Sequence, residues 1–254
     1  MPMKAVLLQQ NIVWADPDEN TVRLSALLAD APQADLYVLP EMFTTGFATE
    51  PVGVAEEEPA KGLEWMKSFA AERDCAVAGS IALHVDGGYV NRHYFVTPQG
   101  VHWYDKRHLF TYGGEDKTFT RGTVRKIVEW RGVRFLLTVC YDLRFPVWSR
   151  NRDDYDAIIC VANWPQVRQF AWNTLTRARS IENQCFMLAV NRCGEDPKCI
   201  YEGGTAIIDP YGATVAGCEP CREQYIVAEL DMEGLASFRQ KFPVIDDADN
   251  FEIL

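Results

Sequence analysis

Two near-continuous apolar runs, Val133 to Val139 and Ala157 to Ala162, constrain this chain more than any other feature. Runs this short with so little polar alternation suit strands buried on both faces, which need a covering layer on each side. Other strand-like runs, Lys4 to Gln10, Leu36 to Leu39 and Cys185 to Asn191, alternate with helical patterns at Asp18 to Asp30, Pro59 to Arg73 and Ala171 to Gln184. That alternation is the mark of an α/β or layered α+β chain. Asp16-Pro17-Asp18 is a start signal for the first helix, and Leu63, Met66 and Ala70 form one stripe on the second. Ala76 to Leu83, Tyr89 to Thr97 and Val101 to Tyr104 read as consecutive strands, and Pro98-Gln99-Gly100 turns the last two into an antiparallel pair.

Further strands are expected at Gly204 to Asp209 and Gln224 to Leu230, and helices at Phe145 to Arg150 and Met232 to Gln240. Residues 242–254 lack periodicity and read as an extended arm. With 254 residues and 48% hydrophobic composition the chain can bury one sizeable core, and without a linker or internal repeat residues 1–254 read as a single domain.

Net charge narrows the partners. At -11 the chain would repel nucleic acid and anionic lipid over most of its surface. The N-terminal apolar stretch Ala5-Val6-Leu7-Leu8 is too short for a signal segment, and no run approaches the roughly 20 residues that span a bilayer. A cytoplasmic protein with a small-molecule partner is the expectation. Its eight cysteines, diluted in a chain this long, read as reduced thiols.

Chemistry concentrates at strand ends. Cys140 closes the run at Val133 and opens Tyr141-Asp142-Leu143-Arg144-Phe145-Pro146. Glu41 follows Leu36 to Pro40, and Lys106 follows Val101 to Asp105. A thiol, a carboxylate and an ammonium in equivalent places suggest one site gathered from three separate segments. Pro40-Glu41-Met42-Phe43, Tyr104-Asp105-Lys106-Arg107-His108-Leu109-Phe110 and the Cys140 segment resemble the Glu, Lys and Cys motifs of the nitrilase superfamily of carbon-nitrogen hydrolases. Val161-Ala162-Asn163-Trp164-Pro165, Ala178 to Gln184 and Phe238 to Pro243 look most like the bacterial omega-amidases within it.

The resemblance implies a four-layer α-β-β-α sandwich, an enzyme without metal or organic cofactor, a homodimer, and the terminal amide of 2-oxoglutaramate or 2-oxosuccinamate as substrate. It implies Cys140 as nucleophile, Glu41 as general base and acid, and Lys106 with the backbone N–H of Tyr141 as oxyanion donors. Glu115, or Asp116 beside it, falls where relatives carry a second glutamate that orients the lysine. A substrate carboxylate needs a cation; Arg168 is the candidate, and Arg144 is expected to pair with Glu182. Phe43, Phe110, Trp164 and Trp172 are expected to wall the pocket.

Two alternatives arise from the residues themselves. Histidine is the commoner base for a thiol, and of the four histidines His108 lies nearest the Lys106 motif, where bracing the loop is its expected task. Cys218-Glu219-Pro220-Cys221, with Cys193 and Cys199, has the count for a structural zinc; a hairpin turn with incidental thiols is the reading adopted.

Overall fold

A computed structural model describes residues 3–253. In chain order the elements are β1 (Met3–Gln9), α1 (Pro17–Leu28), β2 (Leu36–Val38), α2 (Lys61–Arg73), β3 (Ala76–Val85), β4 (Gly88–Thr97), β5 (Gly100–Asp105), β6 (Ile127–Trp130) and β7 (Val133–Val139). They continue as α3 (Pro146–Ser149), β8 (Ala157–Ala162), α4 (Gln169–Glu182), β9 (Phe186–Asn191), β10 (Cys193–Glu195), β11 (Ile200–Glu202), β12 (Ala206–Ile208), β13 (Thr214–Gly217), β14 (Gln224–Leu230) and α5 (Met232–Lys241).

These strands build two six-stranded mixed sheets, ordered β14-β1-β2-β3-β4-β5 and β13-β12-β9-β8-β7-β6, and a two-stranded ribbon of β10 and β11. Parallel pairing is confined to the middle of each sheet, β1-β2-β3 in the first and β7-β8-β9 in the second. The expected β4-β5 hairpin is present, with Thr97 opposite Gly100.

Side-chain alternation sorts the core into layers. In β1, Met3, Ala5 and Leu7 point toward the second sheet, where Phe135, Leu137, Ile159, Val161 and Leu188 meet them. Val6 and Leu8 point the other way, onto Leu24 and Leu28 of α1 and Met66 and Ala70 of α2. On the far side Leu136, Ile158, Cys160, Met187 and Ala189 pack beneath Trp172 and Leu175 of α4. Helix, sheet, sheet, helix is therefore the layer order, and the continuous apolar runs are the strands with a neighbour on both faces. Shortening an inter-sheet residue such as Leu137 to Ala would cost about 2–5 kcal/mol.

Local signals set the helix ends. The Asp16 side chain accepts from the Glu19 N–H at 3.0 Å with Pro17 in the first turn, and Asp231 does the same for Gly234 at 2.8 Å. The expected helix from Phe145 to Arg150 is a single turn. Four short strands, β6, β10, β11 and β13, have no counterpart among the expected elements; with three or four residues each they carry too little pattern to be recognised. The arm after α5 folds back on its own chain: the Arg152 guanidinium lies 4.5 Å from the Phe251 ring and donates to Phe251 O. Leu254 lies outside the described residues. No helix among them is long and apolar enough to cross a membrane.

Candidate active site

Glu41 is aimed by the segment that carries it. After β2 the chain stays bonded to β3: Leu39 N–H donates to Ala78 O (2.7 Å), Met42 N–H to Ser80 Oγ (3.0 Å) and Phe43 N–H to Ser80 O (3.1 Å). Met42 takes a φ of 44°, and the resulting bend turns Glu41 inward, where it is fully buried. Lys106 extends β5 by one further bond, its N–H to Asn91 O at 3.0 Å, and is equally buried. Glu115 arrives on a short 3₁₀ turn, Glu115–Lys117, and its Oε2 accepts the Phe110 N–H at 2.6 Å; Asp116 beside it is exposed.

The three charges form one cluster. Lys106 Nζ donates to Glu41 Oε1 (3.0 Å) and to Glu115 Oε1 and Oε2 (3.1 and 2.9 Å), which matches its three N–H groups to three carboxylate oxygens. Glu41 Oε2 accepts the Asn163 N–H at 2.8 Å, and Asn163 Nδ2 holds the Glu41 backbone carbonyl at 2.6 Å. Burial opposes the ammonium, but Glu115 and Glu41 outweigh it and Lys106 is raised above its ordinary value. Glu115 is raised by burial, against the pull of Lys106.

Cys140 takes a φ of 44° at the point where β7 becomes a 3₁₀ helix, Cys140–Arg144. A left-handed backbone costs a non-glycine residue about 1–2 kcal/mol, and it falls here at the first residue of that helix, which lines the cavity. Burial, with the Glu41 charge next, pushes the thiol well above its usual range, and Lys106 only partly offsets this. At neutral pH the resting sulfur therefore carries its proton.

Asp142 ties this bend to the lysine segment. It accepts from Tyr104 Oη (2.8 Å) and Val139 N–H (2.9 Å) on one oxygen, and from the His108 N–H (3.0 Å) on the other. His108 Nδ1 lies 2.7 Å from Asp142 Oδ1 and its ring stacks on Phe145 at 3.9 Å. His108 thus braces the loop as expected.

A cavity of about 170 Å³ opens on the thiol, lined among others by Phe110, Cys140, Tyr141, Arg144, Asn163 and Trp164, with Arg168 at its wall. Phe110 and Trp164 line this cavity; Phe43 and Trp172 do not, which corrects their expected place on its wall. Phe43 fills the core between the first sheet and α2 because Gly79 leaves it room: a Cβ at Gly79 would lie 3.1 Å from its ring. Trp172 faces inward from α4, 5.5 Å from Trp164, and donates to Gly204 O at 2.9 Å.

Arg144 is a second correction. Glu182 is taken by Arg179 at 2.8 Å, and Arg144 instead lies 4.9 Å over the Trp164 ring on the cavity wall. Arg168 sits 5.1 Å over Phe110. Among the described residues neither guanidinium has a carboxylate partner.

Sequence reasoning missed Asn91, Ser80 and the site role of Asn163. The available signal was a polar residue inside a buried strand, since Asn91 breaks the apolar pattern of β4. As for the thiols outside the site, Cys193 is buried and Cys221 exposed, and among the described residues no group of three or more potential ligands is arranged to hold a metal.

The chain is similar to known proteins over nearly its whole length. The carbon-nitrogen hydrolase profile matches residues 4–240. The chain is 44% identical to an omega-amidase of Yersinia enterocolitica, over 99% of each chain. It is 35% identical to the 2-oxoglutaramate amidase of Bacillus subtilis (strain 168), over 94% of this chain and 95% of that one. A CN-hydrolase superfamily protein from Xanthomonas campestris, crystallised with an arsenic adduct in its active site, superposes with a TM-score of 0.96 at 40% identity, over 100% of this chain and 99% of that one. The chain belongs to the carbon-nitrogen hydrolase family, within the nitrilase superfamily.

Proposed function

We propose that this protein is a cysteine-dependent amidase that hydrolyses the terminal amide of short 2-oxo dicarboxylic acid monoamides, 2-oxoglutaramate and 2-oxosuccinamate, to the dicarboxylate and ammonia. The observation that carries the reading is the cavity itself: a strained cysteine beside two buried carboxylates sharing one ammonium, faced by two guanidinium groups that have no carboxylate partner among the described residues. Names of the relatives at 44% and 35% identity support the substrate class.

Because the resting thiol is protonated, attack needs a base at the moment the carbon-sulfur bond forms, and Glu41 is the base proposed. The oxyanion would be held by the Tyr141 N–H and by Lys106, which releases one of its two bonds to Glu115 to reach it. Glu41 then returns the proton to the departing nitrogen, ammonia leaves, and the thioester remains on Cys140. Glu41 next takes a proton from water as it attacks the thioester, and the acid and free thiol are regenerated. Glu115 orients Lys106 throughout. Arg144 and Arg168 would receive the far carboxylate, whose charge is costly to bury alone, while Phe110 and Trp164 keep water from the reacting carbon. No cofactor takes part in any step.

The protein is further proposed to act in the cytoplasm as a homodimer. Val147 on α3 and Phe170 and Ile181 on α4 are exposed beside the nucleophile segment, and sedimentation gives the mass directly. Function is tested by ammonia release from a panel of amides, carbamoyl amines and nitriles, with Cys140→Ala as control. A mass shift on Cys140 equal to the 2-oxoglutaryl group is expected, and turnover of nitriles or carbamoyl amines in preference to the amides would overturn the substrate class.

A further inference from the structure

Behind Glu41 lies a chain of hydrogen bonds that the mechanism leaves unused. Ser80 on β3 and Asn91 on β4 are fully buried. Asn91 Nδ2 donates to Glu41 Oε1 at 2.8 Å and to Glu115 Oε1 at 3.1 Å, so one amide nitrogen spends both hydrogens on two carboxylates. Asn91 Oδ1 accepts from Ser80 Oγ at 2.8 Å, and Ser80 Oγ accepts the Met42 N–H at 3.0 Å.

Donor accounting leaves a single direction for this relay. A serine has one hydrogen, and since its oxygen already receives the Met42 N–H, that hydrogen goes to Asn91. Turning the Asn91 amide over would set its carbonyl against two carboxylates and its nitrogen against no acceptor but the serine oxygen. The relay begins on the backbone of residue 42 and ends on the side chain of residue 41, so the strand that aims Glu41 also fixes its carboxylate.

We propose that Asn91 is a positioning residue for the hydrolysis, holding Glu41 and Glu115 apart as two separate carboxylates around Lys106, with Ser80 fixing the direction of its amide. The inference rests on the reading of Glu41 as base. Without Asn91 the two carboxylates share only the lysine, and a proton trapped between them would remove the base. Hydrogen bonds to an ionised carboxylate favour that form. The groups that act on Glu41 are Lys106 and Asn91 from the first sheet, Glu115 from the 3₁₀ turn, and Cys140, Cys160 and Asn163 from the second sheet. Lys106 is the cation among them, and its three hydrogens are already committed, so it cannot replace what Asn91 supplies.

The test is the pH dependence of kcat/KM for 2-oxoglutaramate in Asn91→Ala and Ser80→Ala, with thermal melting to verify folding. Asn91→Ala should lower kcat on the order of 10²-fold, the scale set by a misplacement of about 1 Å. KM should change less than about threefold, and the acid limb of kcat/KM should move upward by about one pH unit as a bond to the ionised form is lost. Ser80→Ala should move both in the same direction, with kcat down about tenfold. A folded Asn91→Ala whose acid limb stays in place overturns the proposal. Should that variant fail to fold, an unmoved limb in Ser80→Ala overturns it equally. Glu41→Gln separates the two levels of argument: full activity there defeats the base assignment, whereas an inactive Glu41→Gln beside a normal Asn91→Ala defeats only the role given to Asn91.

Discussion

From β14 to β5 the first sheet pairs its strands antiparallel, parallel, parallel, antiparallel, antiparallel; from β6 to β13 the second sheet repeats that order. Strands β1 and β7 hold matching places and are each seven residues long, so the residues that follow them, Gln10 and Cys140, correspond. Their neighbours do not. In the first half Glu41 and Lys106, which follow β2 and β5, are fully buried with their hydrogen bonds made. In the second half Cys140 has a left-handed backbone and opens with Asn163 on the cavity, while the buried Asp142 ties its bend to Tyr104 and His108. Rigid charge on one side and a strained, reachable sulfur on the other divide the labour: the first half fixes the electrostatics, and the second presents the reacting atom.

Cys140 is where that division breaks most sharply. Cys140→Ala should lower kcat/KM on the order of 10⁴-fold or more, while thermal melting shows the fold retained. Cys140→Gly should be equally inactive yet no less stable than the alanine variant, because glycine takes the left-handed φ without the penalty of about 1–2 kcal/mol. An alanine variant more stable than the glycine one by 1 kcal/mol, taken as about the lower end of that penalty, would show that the bend stores no strain.

Lys106→Met tests the first half. It leaves Glu41 and Glu115 buried without their cation, and removing one partner of such a cluster costs about 3–5 kcal/mol. Urea unfolding should detect this, together with loss of activity. A variant of unchanged stability would mean that the charges are not held rigidly.

Much of this contrast was legible beforehand, and the parts that were not share a cause. Period and turn chemistry marked the long strands, and motif likeness marked Glu41, Lys106 and Cys140, because each of those signals is local. Phe43 and Trp172 face the core and not the cavity, and an aromatic beside a motif looks the same in sequence either way; Gly79, far along the chain, decides it for Phe43. Arg144 is expected to pair with Glu182, which the structure pairs with Arg179 one turn away on the same helix. Asn91 sits two residues from His93 in a strand whose polar positions make sense only once both sheets are in place. The repeated pairing order was invisible, since the two halves share topology and not residue pattern.

His93 joins the halves and gives the next largest effect. On β4, fully buried, its Nδ1 lies 3.1 Å from Thr138 O on β7, two residues before the nucleophile. Burial pushes it down to about 4 from 6.5. Between those pH values the unfolded chain binds a proton that the native state refuses, so stability is full above 6.5 and is lost as pH falls toward 4, by up to about 3 kcal/mol. His93→Asn, which keeps a donor for Thr138 O, should flatten unfolding free energy against pH across that window. An unchanged slope would show that the imidazole titrates normally and that the junction is wetter than its burial implies.

Gln10 provides the smallest effect and the cleanest sharpening. Its Nε2 donates to Phe43 O at 3.3 Å, while its Oε1 is buried without a partner among the described residues. Gln10→Met, near in volume, removes a long hydrogen bond and an unsatisfied acceptor together, terms of opposite sign that should leave stability within about 1 kcal/mol. Because Gln10 touches the backbone of Phe43 and none of the cavity, kcat and KM should stay within about twofold of the parent, a difference under about 0.5 kcal/mol in barrier. A fall in kcat as large as that expected for Ser80→Ala would place the end of β1 inside the reacting assembly. The correspondence with Cys140 would then be one of function as well as topology, and the division of labour between the two sheets would fail.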